Sequence, residues 1–160
     1  MKKISNSPEE TLQLGKSLGS SLESGDIILL FGDLGAGKTH FTQGICYGLE
    51  LDKDSYIRSP TFTLINEYPG KLPIYHIDLY RLEDLQEIYS LGLEEILFNE
   101  GITSIEWAEK LRSPKNSDEL LLNIQDRIEV NIKVLSDSQR EFTFNSYLPS
   151  PRPFPDFTLL

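Results

Sequence analysis

Hydrophobic positions in the first part of the chain follow first a helical and then a strand pattern. Leu14, Leu18 and Leu22 recur every four residues, which predicts one apolar stripe on a helix. The preceding sequence SPEE, Ser7–Glu10, predicts the helix start, with a capping serine, a proline at the first position and a capping-box glutamate. The run IILLF, Ile27–Phe31, is apolar throughout, as in a strand buried on both faces of a parallel sheet.

Further strands and helices are predicted along the middle of the chain. A helix is expected over Lys38–Leu49. Thr61–Pro69 and Leu72–Tyr80 have the composition of strands, and the turn sequence PGK between them predicts a hairpin. Glu83–Phe98 predicts one or two helices, interrupted at Gly92.

The last part of the chain predicts a strand, a second hairpin and a non-helical tail. Ile102–Glu106 is expected to be a strand that runs into a short helical turn. Isoleucine and valine alternate with polar residues over 128–134, and SDSQ at 136–139 supplies a turn, so a hairpin is predicted. Four prolines between Pro149 and Pro155 exclude a helix and predict an extended or disordered appendage over 148–160.

Length and composition indicate one domain of ordinary size. The chain has 160 residues, 39% of them hydrophobic, and we expect residues 1–147 to form a single domain. No stretch approaches the roughly 18 apolar residues of a membrane span. The N-terminus lacks the apolar run of a signal peptide and the single cysteine excludes a disulfide framework, so a cytoplasmic location is expected.

The net charge of −10 argues against strong nucleic-acid binding by this chain alone, because such binding usually needs a basic patch. Between Leu82 and Glu109 there is no lysine or arginine, while eight residues are acidic. This stretch is either a solvated acidic face or a surface that meets a basic partner. In the second case the docking face is expected to carry Glu87, Glu94 and Glu95.

The sequence FGDLGAGKTH at 31–40 contains the pattern G-x-x-x-x-G-K-[ST]. A buried-type strand precedes it and a helix follows it, which is the context of a phosphate-binding loop, or P-loop. Such a loop points backbone N–H groups at an anion, and the helix N-terminus adds positive potential. Lys38 is expected to contact the β- and γ-phosphates, and Thr39 to bind Mg²⁺. The predicted nucleotide-binding residues of the loop are Gly32, Gly35, Ala36, Gly37, Lys38, Thr39 and His40.

A P-loop enzyme also needs an acidic residue at the end of a neighbouring strand. IYHID places Asp78 after one apolar strand, and ITSIE places Glu106 after another. Both are candidate metal ligands and, with Lys38, candidate catalytic residues. We expect the aspartate to hold the metal and the glutamate to orient or deprotonate water, and the reverse assignment is left open. ATP is favoured over GTP because no N-K-x-D sequence for reading guanine occurs.

The segment RSPTFTLINEY begins 20 residues after Lys38, where switch loops lie in small P-loop NTPases. Ser59 and Thr61 are therefore candidates to sense the γ-phosphate or the metal. The alternative is an ordinary strand entry marked by Pro60.

Four sequences, FGDLGAGKTHFTQGI, SPTFTLINEY, YHIDLYRL and IEWAEKL, occur in this order and together resemble the bacterial TsaE family. These are small ATPases needed for threonylcarbamoyl-adenosine synthesis in tRNA. The resemblance spans about Ser5 to Phe144. It implies an α/β fold with a three-layer P-loop NTPase-like core, a mixed, mainly parallel sheet and the C-terminal hairpin. It also implies ATP and Mg²⁺ as cofactors, and TsaB-like and TsaD-like partners whose complex is reset or regulated by hydrolysis.

The resemblance also assigns individual site residues. It implies that Thr39, Asp78 and Glu106 are the metal and catalytic residues and that Lys38 is the phosphate lysine. Thr61 corresponds to a switch-like threonine, and Trp107 is expected near the nucleotide or a contact surface. Two positions depart from the family pattern, namely His40, where serine or threonine is common, and Ala108, where proline is common.

Two other functions are compatible with the sequence, a small-molecule kinase and a non-catalytic nucleotide switch. Kinases of that type usually have a lid with several arginines, whereas the six arginines of this chain are dispersed. Only Arg58 and Arg81 are expected in loops near the γ-phosphate. P-loop NTPases without an arginine positioned at the γ-phosphate hydrolyse their nucleotide slowly, so weak ATPase activity is predicted for the isolated chain.

Overall fold

A seven-stranded mixed sheet forms the centre of the computed structural model, which describes residues 1–52, 55–116, 119–150 and 152–157. The strands are β1 (Lys2–Ser5), β2 (Ile27–Phe31), β3 (Ile65–Tyr68), β4 (Ile74–Asp78), β5 (Ile102–Glu106), β6 (Arg127–Val134) and β7 (Arg140–Tyr147). Their order across the sheet is β1-β7-β6-β2-β5-β4-β3. Strands β3 and β7 run opposite to the other five, so the mixed, mainly parallel sheet and the C-terminal hairpin are confirmed.

Helices lie between the strands at the predicted places. They are α1 (Pro8–Gly19), α2 (Lys38–Gly48), α3 (Leu85–Ser90) and α4 (Leu93–Leu97), and a short 3₁₀ turn follows β5 at Ala108–Leu111. Ser7 caps α1 by accepting from the Glu10 N–H, as predicted, although the Glu10 carboxylate accepts from Asn6 N–H rather than from Ser7. None of the helices in the described ranges has the length and apolarity needed to cross a bilayer.

Strand β2 is buried on both faces, as its uniform apolar sequence predicts. Ile28 and Leu30 belong to a core cluster with Leu14 of α1 and Phe41 of α2. Leu29, which points to the opposite face, belongs to a second cluster that includes residues of α3 and α4. Helices therefore cover both faces of the sheet, and the expected three-layer α/β architecture is confirmed.

The helices α1 and α2 pack so closely that their contact leaves no room for side chains at four positions. A Cβ at each of these positions would lie 2.2–2.3 Å from a backbone oxygen of the other helix. The glycines that permit this approach are Gly15 and Gly19 of α1 and Gly44 and Gly48 of α2. Because α2 begins directly after the P-loop, this contact fixes where the loop ends.

Two features of the sheet differ from the sequence-based expectations. Strand β1, which was not expected, pairs with β7 at the sheet edge, and its two lysines are typical of a protected edge strand. Strand β3 begins at Ile65 rather than Thr61. The backbone turns at Leu64, whose φ is 67° and whose N–H donates to the Pro60 oxygen, so the preceding residues leave the β4 ladder.

The proline-rich tail is not a detached appendage over residues 152–157. It contains no helix there, as expected, but Phe157 is buried and stacks on Phe144 of β7 at 4.7 Å between ring centroids. Arg152 pairs with Asp26, directly before β2, and with Glu23. Residues 151 and 158–160 of the predicted appendage lie outside the described residues.

The contact between α1 and α2 predicts the effect of a single methyl group. Gly44→Ala should lower the free energy of unfolding by about 1–3 kcal/mol, because overpacking against the Leu12 backbone outweighs the better helix propensity of alanine. Thermal denaturation should show a melting temperature several degrees lower. Gln13→Ala, at an exposed position of α1, is the control and should change it little. An unchanged melting temperature for Gly44→Ala would show that α1 and α2 can move apart without a loss of stability.

Candidate functional site

The P-loop connects β2 to α2 in a conformation that requires glycine. Gly32, Gly35 and Gly37 have φ angles of 143°, 78° and 104°, which other residues rarely adopt. A Cβ on Gly32 would also lie 2.5 Å from the backbone oxygen of Ile132 on β6. The first turn of α2 starts at Lys38, and its leading N–H groups have no partner within the helix.

The Lys38 side chain is buried and already surrounded by acceptors. Its Nζ donates hydrogen bonds to the backbone oxygens of Gly32 and Asp33, and it lies 3.8 Å from the centre of the Trp107 ring. Burial lowers the pKa of Lys38, and the Coulombic effect of four nearby carboxylates opposes that shift. Those carboxylates belong to Glu109, Glu106, Asp78 and Asp33.

Glu106 lies at the carboxyl end of β5, where it meets both the P-loop helix and the neighbouring strand. Its Oε2 accepts a hydrogen bond of 3.1 Å from the Thr39 hydroxyl, in the first turn of α2. Its Oε1 lies 2.7 Å from Nε2 of His76 on β4. The carboxylate is 3% exposed, so it is nearly removed from solvent in this environment.

Asp78 ends β4 and pairs in register with Glu106 of the parallel strand β5. Its Oδ2 accepts hydrogen bonds from the hydroxyls of Ser59 and Thr61, the latter at 3.0 Å. Its Oδ1 accepts a hydrogen bond from the backbone N–H of Tyr80 at 2.9 Å. Asp78 therefore ties the segment predicted to act as a switch to the end of the strand.

Trp107 adopts a backbone conformation that is unusual for a large side chain. Its φ of 60° and ψ of 41° lie in the left-handed region, directly after Glu106. Such conformations cost of order 1–3 kcal/mol and cluster at functional sites. The ring contacts Tyr80, at 4.8 Å between centroids, and the Lys38 ammonium, so it closes one side of the site.

A cleft of about 540 Å³ brings the predicted residues together. Eleven of them line it, namely Gly35, Ala36, Gly37, Lys38, Thr39, His40, Ser59, Thr61, Asp78, Glu106 and Trp107. Gly32 is not in the lining, and its carbonyl instead accepts from Lys38. The cleft continues to the start of α1 and to the β6–β7 turn through Pro8, Thr11, Asp137 and Arg140, which the sequence reasoning missed because no motif marks them.

Arg140 lines the cleft, whereas Arg58 and Arg81, which were expected in loops near the γ-phosphate, are outside the lining although their neighbours Ser59 and Tyr80 are part of it. Arg58 and Arg81 are exposed, and their guanidinium groups lie over the rings of Tyr56 and Phe62. Arg140 donates to the backbone oxygens of Ser136 and Asp137 in the β6–β7 turn. It belongs to the β6–β7 side of the sheet, whereas Asp78 and Glu106 belong to the β4–β5 side.

Comparison with known proteins identifies the family. A family model described as "Threonylcarbamoyl adenosine biosynthesis protein TsaE" matches residues 5–142. The chain belongs to the TsaE family. This family is involved in the biosynthesis of threonylcarbamoyladenosine in tRNA.

Individual TsaE proteins are similar over most of their length. The chain is 42% identical to tRNA threonylcarbamoyladenosine biosynthesis protein TsaE of Bacillus subtilis, over 87% of this chain and 81% of that protein. It is 37% identical to the TsaE protein of Treponema pallidum, over 89% and 98%. The crystal structure of B. subtilis YdiB is similar with a TM-score of 0.72 and 35% identity, covering 92% of this chain and 85% of that one.

Proposed function

We propose that this TsaE-family chain binds ATP and Mg²⁺ in the cleft and hydrolyses the nucleotide slowly. In this proposal the hydrolysis supports threonylcarbamoyl-adenosine modification of tRNA within a complex of TsaB-like and TsaD-like proteins. The main support is the hydrogen bond between Thr39 of the P-loop helix and Glu106 of β5, with Asp78 beside Glu106 in the β4–β5 register. That arrangement joins a phosphate-binding loop to two strand-end carboxylates.

The P-loop side of the cleft suits a polyphosphate. Left-handed glycines and the first turn of α2 supply backbone N–H donors, and Lys38 supplies the charge. Lys38 would exchange its hydrogen bonds to the Gly32 and Asp33 carbonyls for phosphate oxygens. The exchange keeps the ammonium solvated by acceptors in both states.

The oxygen ligands in the cleft fit Mg²⁺, which is usually bound through one or two carboxylates together with phosphates and water. Thr39 and Glu106 are adjacent and would hold the ion, which is the reverse of the division of roles expected from the sequence, and Asp78 lies on the next strand. When bound, Mg²⁺ would neutralise charge on the β- and γ-phosphates. Asp78, which accepts from Ser59 and Thr61, would couple this region to the switch-like segment.

The remaining side of the cleft would take the base and ribose. Arg140 and Asp137 of the β6–β7 turn and Pro8 and Thr11 of α1 line it. Phosphate and metal groups would then lie toward β4 and β5, with the base on the opposite side of the P-loop.

A phosphate-release assay with and without TsaB-like and TsaD-like proteins tests this function against its alternatives. Slow release that the partners change supports the regulatory ATPase. Transfer of the phosphate to a small molecule would indicate a kinase, for which the arginine cluster of a lid is lacking in the lining that the structure describes. Nucleotide-dependent complex formation without release would indicate a non-catalytic switch.

Removal of the P-loop lysine should weaken nucleotide binding. Lys38→Ala is expected to raise the Kd for ATP by about 10–100-fold, the range for loss of charged hydrogen bonds. Calorimetric titration measures this, with Lys133→Ala as the control because that lysine is exposed on β6. If Lys38→Ala binds ATP with the same Kd as the unsubstituted chain, Lys38 does not contact the phosphates.

Each strand-end carboxylate should affect turnover more than binding. Asp78→Asn and Glu106→Gln are expected to reduce phosphate release by about 10²-fold or more, with ATP still bound. Glu67→Gln, at an exposed position on β3, is the matched control. Near-normal turnover in either site variant would remove that residue from the mechanism.

The acidic face should guide docking onto a basic partner surface. Glu87, Glu94 and Glu95 are exposed, but the Glu87 carboxylate caps α3, so only the other two are suitable for charge reversal. Glu94→Lys with Glu95→Lys should weaken ATP-dependent binding to a TsaB–TsaD-like complex. Added salt should weaken the binding of the unsubstituted chain to the same complex. Glu67→Lys with Asp126→Lys is the control. If neither salt nor the charge reversal changes binding, the acidic stretch between Leu82 and Glu109 is a solvated face rather than a docking surface.

A further inference from the structure

His76 is a buried polar residue that has no role in the nucleotide site proposed so far. It lies in the middle of β4 and is 0% exposed. Its Nε2 contacts Oε1 of Glu106 at 2.7 Å, whereas its Nδ1 has no hydrogen-bond partner among the described residues. A buried nitrogen without a partner costs free energy, so core packing alone is a poor explanation for histidine at this position.

The sheet register brings His76 beneath the site. His76 and Asp78 lie two residues apart and therefore point to the same face of β4. In the β4–β5 ladder, His76 pairs with Ser104 and Asp78 pairs with Glu106. The imidazole thus approaches Glu106 from inside the sheet, two residue pairs below the Asp78–Glu106 pair at the cleft edge.

The two oxygens of Glu106 have different partners. Oε1 is bound by His76, and Oε2 accepts from Thr39, which lines the cleft. Without the histidine, Oε1 has no other hydrogen-bond partner that the structure describes, and the carboxylate is free to turn. Lys38 is within Coulombic range of Glu106, so a direct ion pair between them is the competing arrangement.

We propose that His76 is a positioning residue, which holds Glu106 through Nε2 so that Oε2 is presented to Thr39 and the cleft. This inference rests on the proposed ATPase function. It gives His76 an effect on turnover that acts through Glu106, with no contact between His76 and the nucleotide.

Three substitutions separate positioning from packing. In His76→Gln the amide nitrogen overlays Nε2, so the donor to Glu106 is kept. In His76→Asn the amide overlays Nδ1 instead, and in His76→Leu no donor remains. We expect the asparagine and leucine variants to lose about 10–100-fold in kcat, as for other residues that orient a ligand group, while the glutamine variant stays near the parent. The KM for ATP should change by less than about threefold in all of them.

A double-mutant cycle with Glu106→Gln supplies the decisive readout. If His76 acts through Glu106, adding His76→Asn to Glu106→Gln should cause no further loss of kcat. The proposal is overturned if the kcat losses of His76→Asn and Glu106→Gln multiply in the double variant. It is also overturned if His76→Gln and His76→Asn have equal kcat values. Thermal denaturation checks folding, and the comparison of glutamine with asparagine decides the question if the leucine variant does not fold.

A parent chain that hydrolyses no ATP, with or without partners, overturns the proposed function and this inference together. An active parent with unaffected variants overturns this inference alone.

Discussion

The candidate site depends on the register of three parallel strands. Leu30 of β2 and Asp78 of β4 both pair with Glu106 of β5, so the three strands end at one level. The P-loop follows β2 at that level, which brings Thr39 to the Glu106 carboxylate. A slip of one residue in β5 would turn Glu106 to the opposite face and break its contacts with Thr39 and His76.

Local sequence patterns were sufficient to predict the parts of the site that lie at strand ends. The P-loop has a motif, and Asp78 and Glu106 each follow an apolar run, so their meeting at the sheet edge follows from parallel pairing. Arg140 had no such signal, because its place in the cleft depends on how the β6–β7 turn folds back. His76 has no motif of its own, and its contact with Glu106 depends on the β4–β5 pairing.

The missed parts of the fold also depend on tertiary contacts. Strand β1 is short and begins with two lysines, and it becomes a strand only because β7 offers an edge. Gly15 and Gly44 look like weak positions within helices until the other helix is placed against them. The tail composition predicts a lack of helix correctly, but composition cannot show that Phe157 finds a place beside Phe144.

The start of the tail and the P-loop lie at opposite ends of β2. Arg152 binds Asp26 before the strand begins, whereas Gly32 follows directly after it. Phe157, further along the tail, stacks on Phe144, which the strand register places level with Leu30 and which also contacts Phe41 of α2. The tail therefore braces β2 near both of its ends, so a chain shortened at its C-terminus should transmit the loss to the P-loop helix rather than confine it to the rim of the core.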